Sequence, residues 1–158
     1  MKYAVLTISD MGFLKLRRDQ SGPAVKERLE QEGAEVPFLE ILPDERHLIA
    51  DKLRELADSG VYMAIFTTGG TGAALRDVTP EATQDVLERE MPGFGEKMRT
   101  HGSQYTPLAY LSRATAGLRG KTLIVNLPGS PKGAVESLEA ILDLVPHVVR
   151  LLRGETSH

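Results

Sequence analysis

A chain of 158 residues with 41% hydrophobic content is long enough to bury one sizeable core and short enough to be read as one domain, residues 1–158. Without cysteine it forms neither a disulfide frame nor a thiolate metal site or nucleophile, and it suits a reducing compartment, the cytoplasm being the expectation. A net charge of −3 argues against a general nucleic-acid coat, so an anionic substrate has to be met by local cations and backbone amides.

The first apolar run, Tyr3 to Ser9, reads as a strand and stops at Ser9-Asp10, too soon for a signal peptide or a membrane span. Gly12, Lys15, Arg17 and Arg18 follow, either a basic lid over phosphates or a solvated loop that only carries charge. Pro23 to Gln31 has a helical pattern closed by Gly33. Phe38 to Leu42 is a weaker strand, and the neighbouring Pro37, which cannot donate to a ladder, puts it at an edge or a strand start. Glu45 to Asp58 is helical, with Ile49, Leu53 and Leu56 on one face and Gly60 closing it. Val61 to Thr67 is the third strand, and Pro80 to about Glu90 the next helix, with Thr79 expected as its cap. Met91 to Ala116 shows no sheet role and reads as a helical insertion. Thr122 to Asn126 is the last strand. Val135, Leu138, Ile141, Leu142 and Val145 then mark a helix that bends or breaks at Pro146 before Val148 to Leu152. Unbroken apolar strands alternating with helices predict an α/β domain around a parallel sheet covered on both faces.

Ligands of such sheets gather outside the carboxyl ends of the strands, so the residues just after each strand carry the functional reading. Here these are Ser9-Asp10, Pro43-Asp44, the loop Thr68-Gly69-Gly70-Thr71-Gly72 with Arg76-Asp77 beyond it, and Pro128-Gly129-Ser130-Pro131-Lys132. Glycines at 69, 70 and 72 remove the Cβ atoms that would keep a phosphate from the main chain. The loop lacks the Gly-Lys-Ser/Thr of a Walker motif, and no GxGxxG opens a helix. Ser130 is placed to cap a helix starting at Pro131, aiming free amides at an anion with Lys132 nearby.

Aspartates beside a polyphosphate would repel it by about 1 kcal/mol per charge pair in water, and about 4 kcal/mol near a protein surface, at about 4 Å. A bridging cation is therefore expected: magnesium, held by Asp77, with Asp44 as the second candidate. Each acid has a plainer alternative, Asp44 as a cap of the Glu45 helix and Asp77 as a partner of Arg76 or the closing residue of a turn. The histidines His47, His101, His147 and His158 are too scattered for a metal ligand set. Ser9 and Ser130 have no GxSxG elbow and no assigned base, so they are read as hydrogen-bonding residues and not as nucleophiles.

Several segments in register resemble the MogA/MoaB molybdopterin-binding family: Thr67 to Gly72, Arg76 to Ala82, Met91 to Glu96 and Asn126 to Lys132. Ser9-Asp10, Asp19 with Ser21-Gly22-Pro23, Pro43-Asp44-Glu45 and Leu111-Ser112-Arg113 extend the likeness over nearly the whole chain. The resemblance implies a three-layer αβα fold with a mostly parallel central sheet, commonly assembled as a homotrimer. It implies magnesium- and ATP-dependent transfer of AMP to the terminal phosphate of molybdopterin with release of pyrophosphate, a step of molybdenum cofactor biosynthesis shared with other proteins of that pathway. It makes Asp44 and Asp77 the critical acids. Thr68, Gly69, Gly70, Thr71, Gly72 and Arg76 would lie against nucleotide and pterin phosphates, and Ser9, Asp10, Pro128, Gly129, Ser130 and Lys132 would line the pterin side. The alternatives within the same family are a protein that binds molybdopterin without adenylylating it, and a scaffold. One segment departs from the pattern: where relatives commonly carry small and polar residues, this chain has Met11-Gly12-Phe13-Leu14-Lys15-Leu16. Its large apolar side chains need burial, at a subunit contact or within the lid.

Overall fold

The computed structural model describes residues 1–155. Its elements are β1 (Lys2–Ile8), α1 (Asp10–Phe13), α2 (Ser21–Gln31), β2 (Glu35–Leu42), α3 (Arg46–Asp58), β3 (Ala64–Thr68), α4 (Thr79–Val86), β4 (Arg89–Glu90), α5 (Pro92–Gly102), a 3-10 turn (Pro107–Leu111), β5 (Ala116–Arg119), β6 (Thr122–Leu127), α6 (Pro131–Ile141) and α7 (Val145–Leu152). The strands form one sheet in the order β2-β1-β3-β6-β5-β4. The β2, β1, β3 and β6 pairings are parallel, and β5 and β4 add an antiparallel margin.

Alternation along each strand feeds two cores. Tyr3, Val5, Phe66, Leu123 and Val125 face Val25 and Leu29 of α2, Phe94 and Met98 of α5, Leu138 and Ile141 of α6, and Val149 of α7. Ala4, Leu6, Ile65 and Ile124 face Ile49, Leu53 and Leu56 of α3 and Ala82 and Val86 of α4. The result is the expected αβα sandwich, with central strands buried on both faces and therefore apolar at nearly every position.

Four expectations need correction. β2 begins at Glu35 and runs through Pro37; as an edge strand it tolerates the proline, and the register slips between Lys2↔Glu35 and Ala4↔Phe38, so the extra residue is absorbed in a bulge. α4 stops at Val86, because Arg89 and Glu90 leave it to pair with Leu118 and Gly117. Met91 to Ala116 is an excursion of α5 and the 3-10 turn whose two ends belong to the sheet margin, Met91 N donating to Ala116 O at 2.9 Å. The C-terminal break falls at residues 142–144, and Pro146 sits in the first turn of α7, where its missing N–H costs nothing.

Candidate active site

In the parallel set, Thr7, Thr68 and Leu127 lie side by side, so β1, β3 and β6 end level with one another. A cavity of about 750 Å³ opens just beyond them. Ser9, Asp10, Asp44, Thr68, Gly69, Gly70, Asp77, Gly129 and Ser130 all line it. Segments far apart in sequence thus converge because a right-handed parallel sheet delivers every strand end to the same edge.

The glycine loop is shaped by close approach. Gly69 has φ +105°, and a Cβ there would fall 2.3 Å from the carbonyl oxygen of Ile8. Gly70 has φ +69°, and its Cβ would meet Thr79 Oγ1 at 2.2 Å and Asp44 Oδ1 at 3.1 Å. Beneath the loop lies a buried polar network. Asn126 Nδ2 donates to Thr67 Oγ1 and to Thr83 Oγ1, each at 2.9 Å, while its Oδ1 accepts from Thr115 N at 3.2 Å. Thr68 Oγ1 donates to Pro128 O at 2.6 Å, joining the two site loops. On the far side, Ser130 Oγ accepts from Gly133 N at 3.1 Å and caps α6 as expected. Thr79 is not the cap of α4: it is the first helical residue, and its buried hydroxyl has no partner.

The acids are interlocked. Asp10 N donates to Asp44 Oδ2 at 3.0 Å and Asp44 N returns a bond to Asp10 Oδ1 at 2.9 Å, so the turns after β1 and β2 clamp one another. Arg76 reaches across from the β3 loop to Asp10 through Nε at 2.6 Å and Nη2 at 3.1 Å, and to Glu45 Oε1 at 3.1 Å. This guanidinium holds the Asp10 carboxyl below the usual carboxylate range. Asp44 moves the other way: burial raises its pKa, and the neighbouring charges of Asp10 and Asp77 add to the rise against the bond from the Asp10 amide. Asp44 makes no cap on α3, whose N-terminus has no side-chain bond. Asp77 does close a turn, accepting from Ala74 N at 3.0 Å, and lines the cavity as well.

Five predicted contacts lie off this cavity. Arg76 is committed to Asp10 and Glu45, and Lys132 points outward with its side chain 85% exposed, 3.9 Å from Glu136. Thr71 O and Gly72 O accept from Arg113 N and Nε, each at 2.8 Å, and Pro128 faces a second, smaller hollow of about 210 Å³ on the other side of Ser130. That hollow is lined by Met98, Leu108, Ala114, Ser112 and Arg99. Sequence reasoning gave no site role to Arg113, which also donates to Asp77 O at 2.7 Å, or to Asp19, which accepts from Thr7 Oγ1 at 2.8 Å and Gly22 N at 3.0 Å. Both stand in motif segments, Leu-Ser-Arg and Asp-x-Ser-Gly-Pro, and that placement was the available signal.

The donor set fits magnesium better than a transition metal. Among the described residues no group of three or more His, Cys, Asp or Glu is arranged to hold an ion unaided. His101 packs edge-on to Tyr105 at 5.7 Å, and His158 lies outside the described residues. Asp44 and Asp77 are two carboxylates on one cavity whose charges repel, the situation a hard cation relieves when phosphate and water complete its shell. Among the described residues no helix is long and apolar enough to cross a membrane.

Residues 4–147 match the profile of the probable molybdopterin binding domain. The molybdopterin adenylyltransferase of Helicobacter pylori (strain ATCC 700392 / 26695) is 45% identical over 153 residues, 95% of this chain and 86% of that protein. The molybdopterin adenylyltransferase of Escherichia coli K12 is 39% identical over 169 residues, 98% of this chain and 86% of that protein. The crystal structure of the molybdopterin biosynthesis enzyme MoaB from Thermus thermophilus superposes with a TM-score of 0.91 at 50% identity, covering 97% of this chain and 96% of that one. The fold, the strand-end cavity and these likenesses together assign the chain to the MogA/MoaB family of molybdopterin-binding domains.

Proposed function

We propose that the protein is a molybdopterin adenylyltransferase of molybdenum cofactor biosynthesis, which moves AMP from ATP to the terminal phosphate of molybdopterin and releases pyrophosphate. The observation that carries this reading is the arrival of Asp44, Asp77 and the Gly69-Gly70 turn, from separate strand ends, on one cavity. Relatives named for this activity, similar over nearly their whole length, support it.

A terminal phosphate oxygen of the pterin attacks the α-phosphorus of ATP; the bond to the bridging oxygen breaks, and pyrophosphate departs with its electron pair. No protein nucleophile is needed, so the work of the chain is positioning and charge placement. The bare backbone at Gly69 and Gly70 lets phosphate oxygens approach the main chain, and the Ser130-capped N-terminus of α6 turns free amides toward the same space. The reciprocal Asp10–Asp44 bonds and Arg76 keep the three loops in register, so that the acids stay aimed inward. Asp44 and Asp77 would hold magnesium, which supplies neutralisation of phosphate charge. The more apolar hollow across Ser130 suits the flat pterin ring, leaving the larger, charged cavity to the nucleotide. As further parts of this reading, residues 1–158 act as one cytoplasmic domain, assemble as a homotrimer, and pass product to other proteins of the pathway.

Incubation with ATP, magnesium and molybdopterin tests the proposal, with pyrophosphate measured by a coupled assay and adenylylated pterin by mass spectrometry. Stoichiometric appearance of both products supports it. Tight pterin binding with no pyrophosphate above the protein-free control would make this a binding protein instead.

A further inference from the structure

Polyphosphate demands cations, and the residues lining the large cavity include two, Arg17 and Arg18. The cations that strand-end reasoning put there are elsewhere: Arg76 is bound to Asp10 and Glu45, and Lys132 points to solvent off the cavity wall. Lys15, from the same basic segment, also lies off the cavity wall. Among the described residues Arg17 and Arg18 have no ion pair or side-chain hydrogen bond, unlike Arg76, which Asp10 and Glu45 hold.

Their place is set by the main chain. Leu16 N and Arg17 N both donate to Met11 O, at 2.9 and 3.2 Å, around a left-handed Lys15 with φ +60°. Downstream, the Asp19 carboxylate is bound by Thr7 Oγ1 and Gly22 N, which pins the other end of the strap to β1 and to the start of α2. Topology then separates charge across the cavity. The strap leads into α2, which shares one face of the sheet with α6, whereas Asp44 and Asp77 precede α3 and α4 on the opposite face. Arg17 and Arg18 thus stand on one wall, beside an Asp19 whose carboxylate is taken up by Thr7 Oγ1 and Gly22 N, Asp44 and Asp77 stand on the other, and the glycine loop at the end of β3 lies between them.

We propose that Arg17 and Arg18 bind the two outer phosphates of the nucleoside triphosphate and retain them as pyrophosphate when the bond at the α-phosphorus breaks. This rests on the adenylyl-transfer reading of the site. The charge argument favours the outer phosphates over the pterin phosphate. An ion shared by Asp44 and Asp77 is largely neutralised by its own ligands, and the remaining charge of a triphosphate is concentrated on its outer two groups, as is that of the leaving pyrophosphate. Two adjacent planar forks suit such vicinal phosphates, each fork taking a pair of oxygens.

The test is calorimetric titration of inorganic pyrophosphate with magnesium, and separately of AMP, into the full-length protein, the Arg17→Ala/Arg18→Ala double variant and Lys15→Ala. Lys15→Ala removes one positive charge from the same strap without touching the cavity wall, and alanine tolerates the left-handed angle as poorly or as well as lysine. We expect the double variant to weaken pyrophosphate at least about tenfold, the equivalent of one lost charge-assisted hydrogen bond, with AMP affinity changed by less than about twofold. Lys15→Ala should stay near the parent protein. Unchanged pyrophosphate affinity in the double variant, an equal loss of AMP, or an equal loss from Lys15→Ala would each overturn the assignment. Neither titration requires turnover, so a protein that binds both ligands in this pattern yet transfers no AMP would sink the catalytic reading and leave the arginine site standing; a parent protein that binds neither would sink both.

Discussion

Gly69→Ala probes how the site loop is built. At φ +105° an L-residue carries left-handed strain of roughly 1–2 kcal/mol. The added methyl would also sit 2.3 Å from the carbonyl oxygen of Ile8, and that neighbour is backbone at the buried end of β1, so no rotamer change relieves it. Forcing the end of β1 away from the loop falls within the cost of overpacking a tight core, about 1–3 kcal/mol. The sum is a destabilisation of about 2–5 kcal/mol. Gly33→Ala is the matched control: its φ is +89°, but nothing lies within 4 Å of its Cβ position, so only the strain of about 1–2 kcal/mol applies. Urea unfolding monitored by circular dichroism separates the two through the midpoint at constant m. Whatever fraction of Gly69→Ala stays folded should bind AMP poorly under the proposed function, in which phosphate approaches this main chain. Equal losses from the two substitutions, or a Gly69→Ala protein within about 1 kcal/mol of the parent, would refute the reasoning.

Arg76→Ala should lower kcat while leaving the thermal midpoint nearly unchanged, because the arginine is solvent-exposed and its partners are the site loops; a large fall in stability with normal turnover would show it to be a fold residue only. Arg76→Lys should rescue little, since one ammonium cannot span Asp10 and Glu45 as the guanidinium does. For Asp44 the sign is set by its raised pKa: neutral Asp44 favours the fold, and that contribution, complete below the unfolded-state pKa of about 4, is lost as pH climbs through the higher folded value. Asp44→Asn should therefore stabilise the metal-free protein at neutral pH, and the advantage should vanish under acid; melting curves across pH check it, and a variant less stable at pH 7 than at pH 4 relative to the parent would contradict it. Phe13 and Leu16 are 49% and 67% exposed, so replacing both with serine should reduce the mass on gel filtration if this face is a subunit contact, whereas an unchanged mass would count against that role.

Periodicity and turn residues made most of the sandwich legible. β1, β3 and β6 appear as apolar runs because they are buried on both faces, and α2 and α3 are closed by the glycine stops Gly33 and Gly60, whereas α2 starts at Ser21, two residues before the expected Pro23, with no side-chain cap to mark it. The antiparallel margin was hidden for a physical reason: β4 has two residues, Arg89 and Glu90, both exposed, and no pattern of alternation fits into two positions. The acids and the glycine loop were readable through the strand-end rule, which depends on topology alone. Side-chain direction was not. Arg76 and Lys132 stand beside the right loops in sequence, yet one turns to bridge Asp10 and Glu45 and the other to solvent. Asn126 and Thr83 escaped for a similar reason, since a buried polar network joins residues 43 positions apart and leaves no local signature.

Turnover by Asp44→Asn and Asp77→Asn, measured as pyrophosphate release with ATP, magnesium and molybdopterin, tests most directly that the two acids act on one bound phosphate. Each single variant should stay folded and lose about 10²-fold or more in kcat, the scale of a removed electrostatic contact at a reacting group, with the double variant scarcely worse than either alone. Retention of parental turnover by either variant, or losses that multiply as for independent sites, would contradict the shared site on which the account stands.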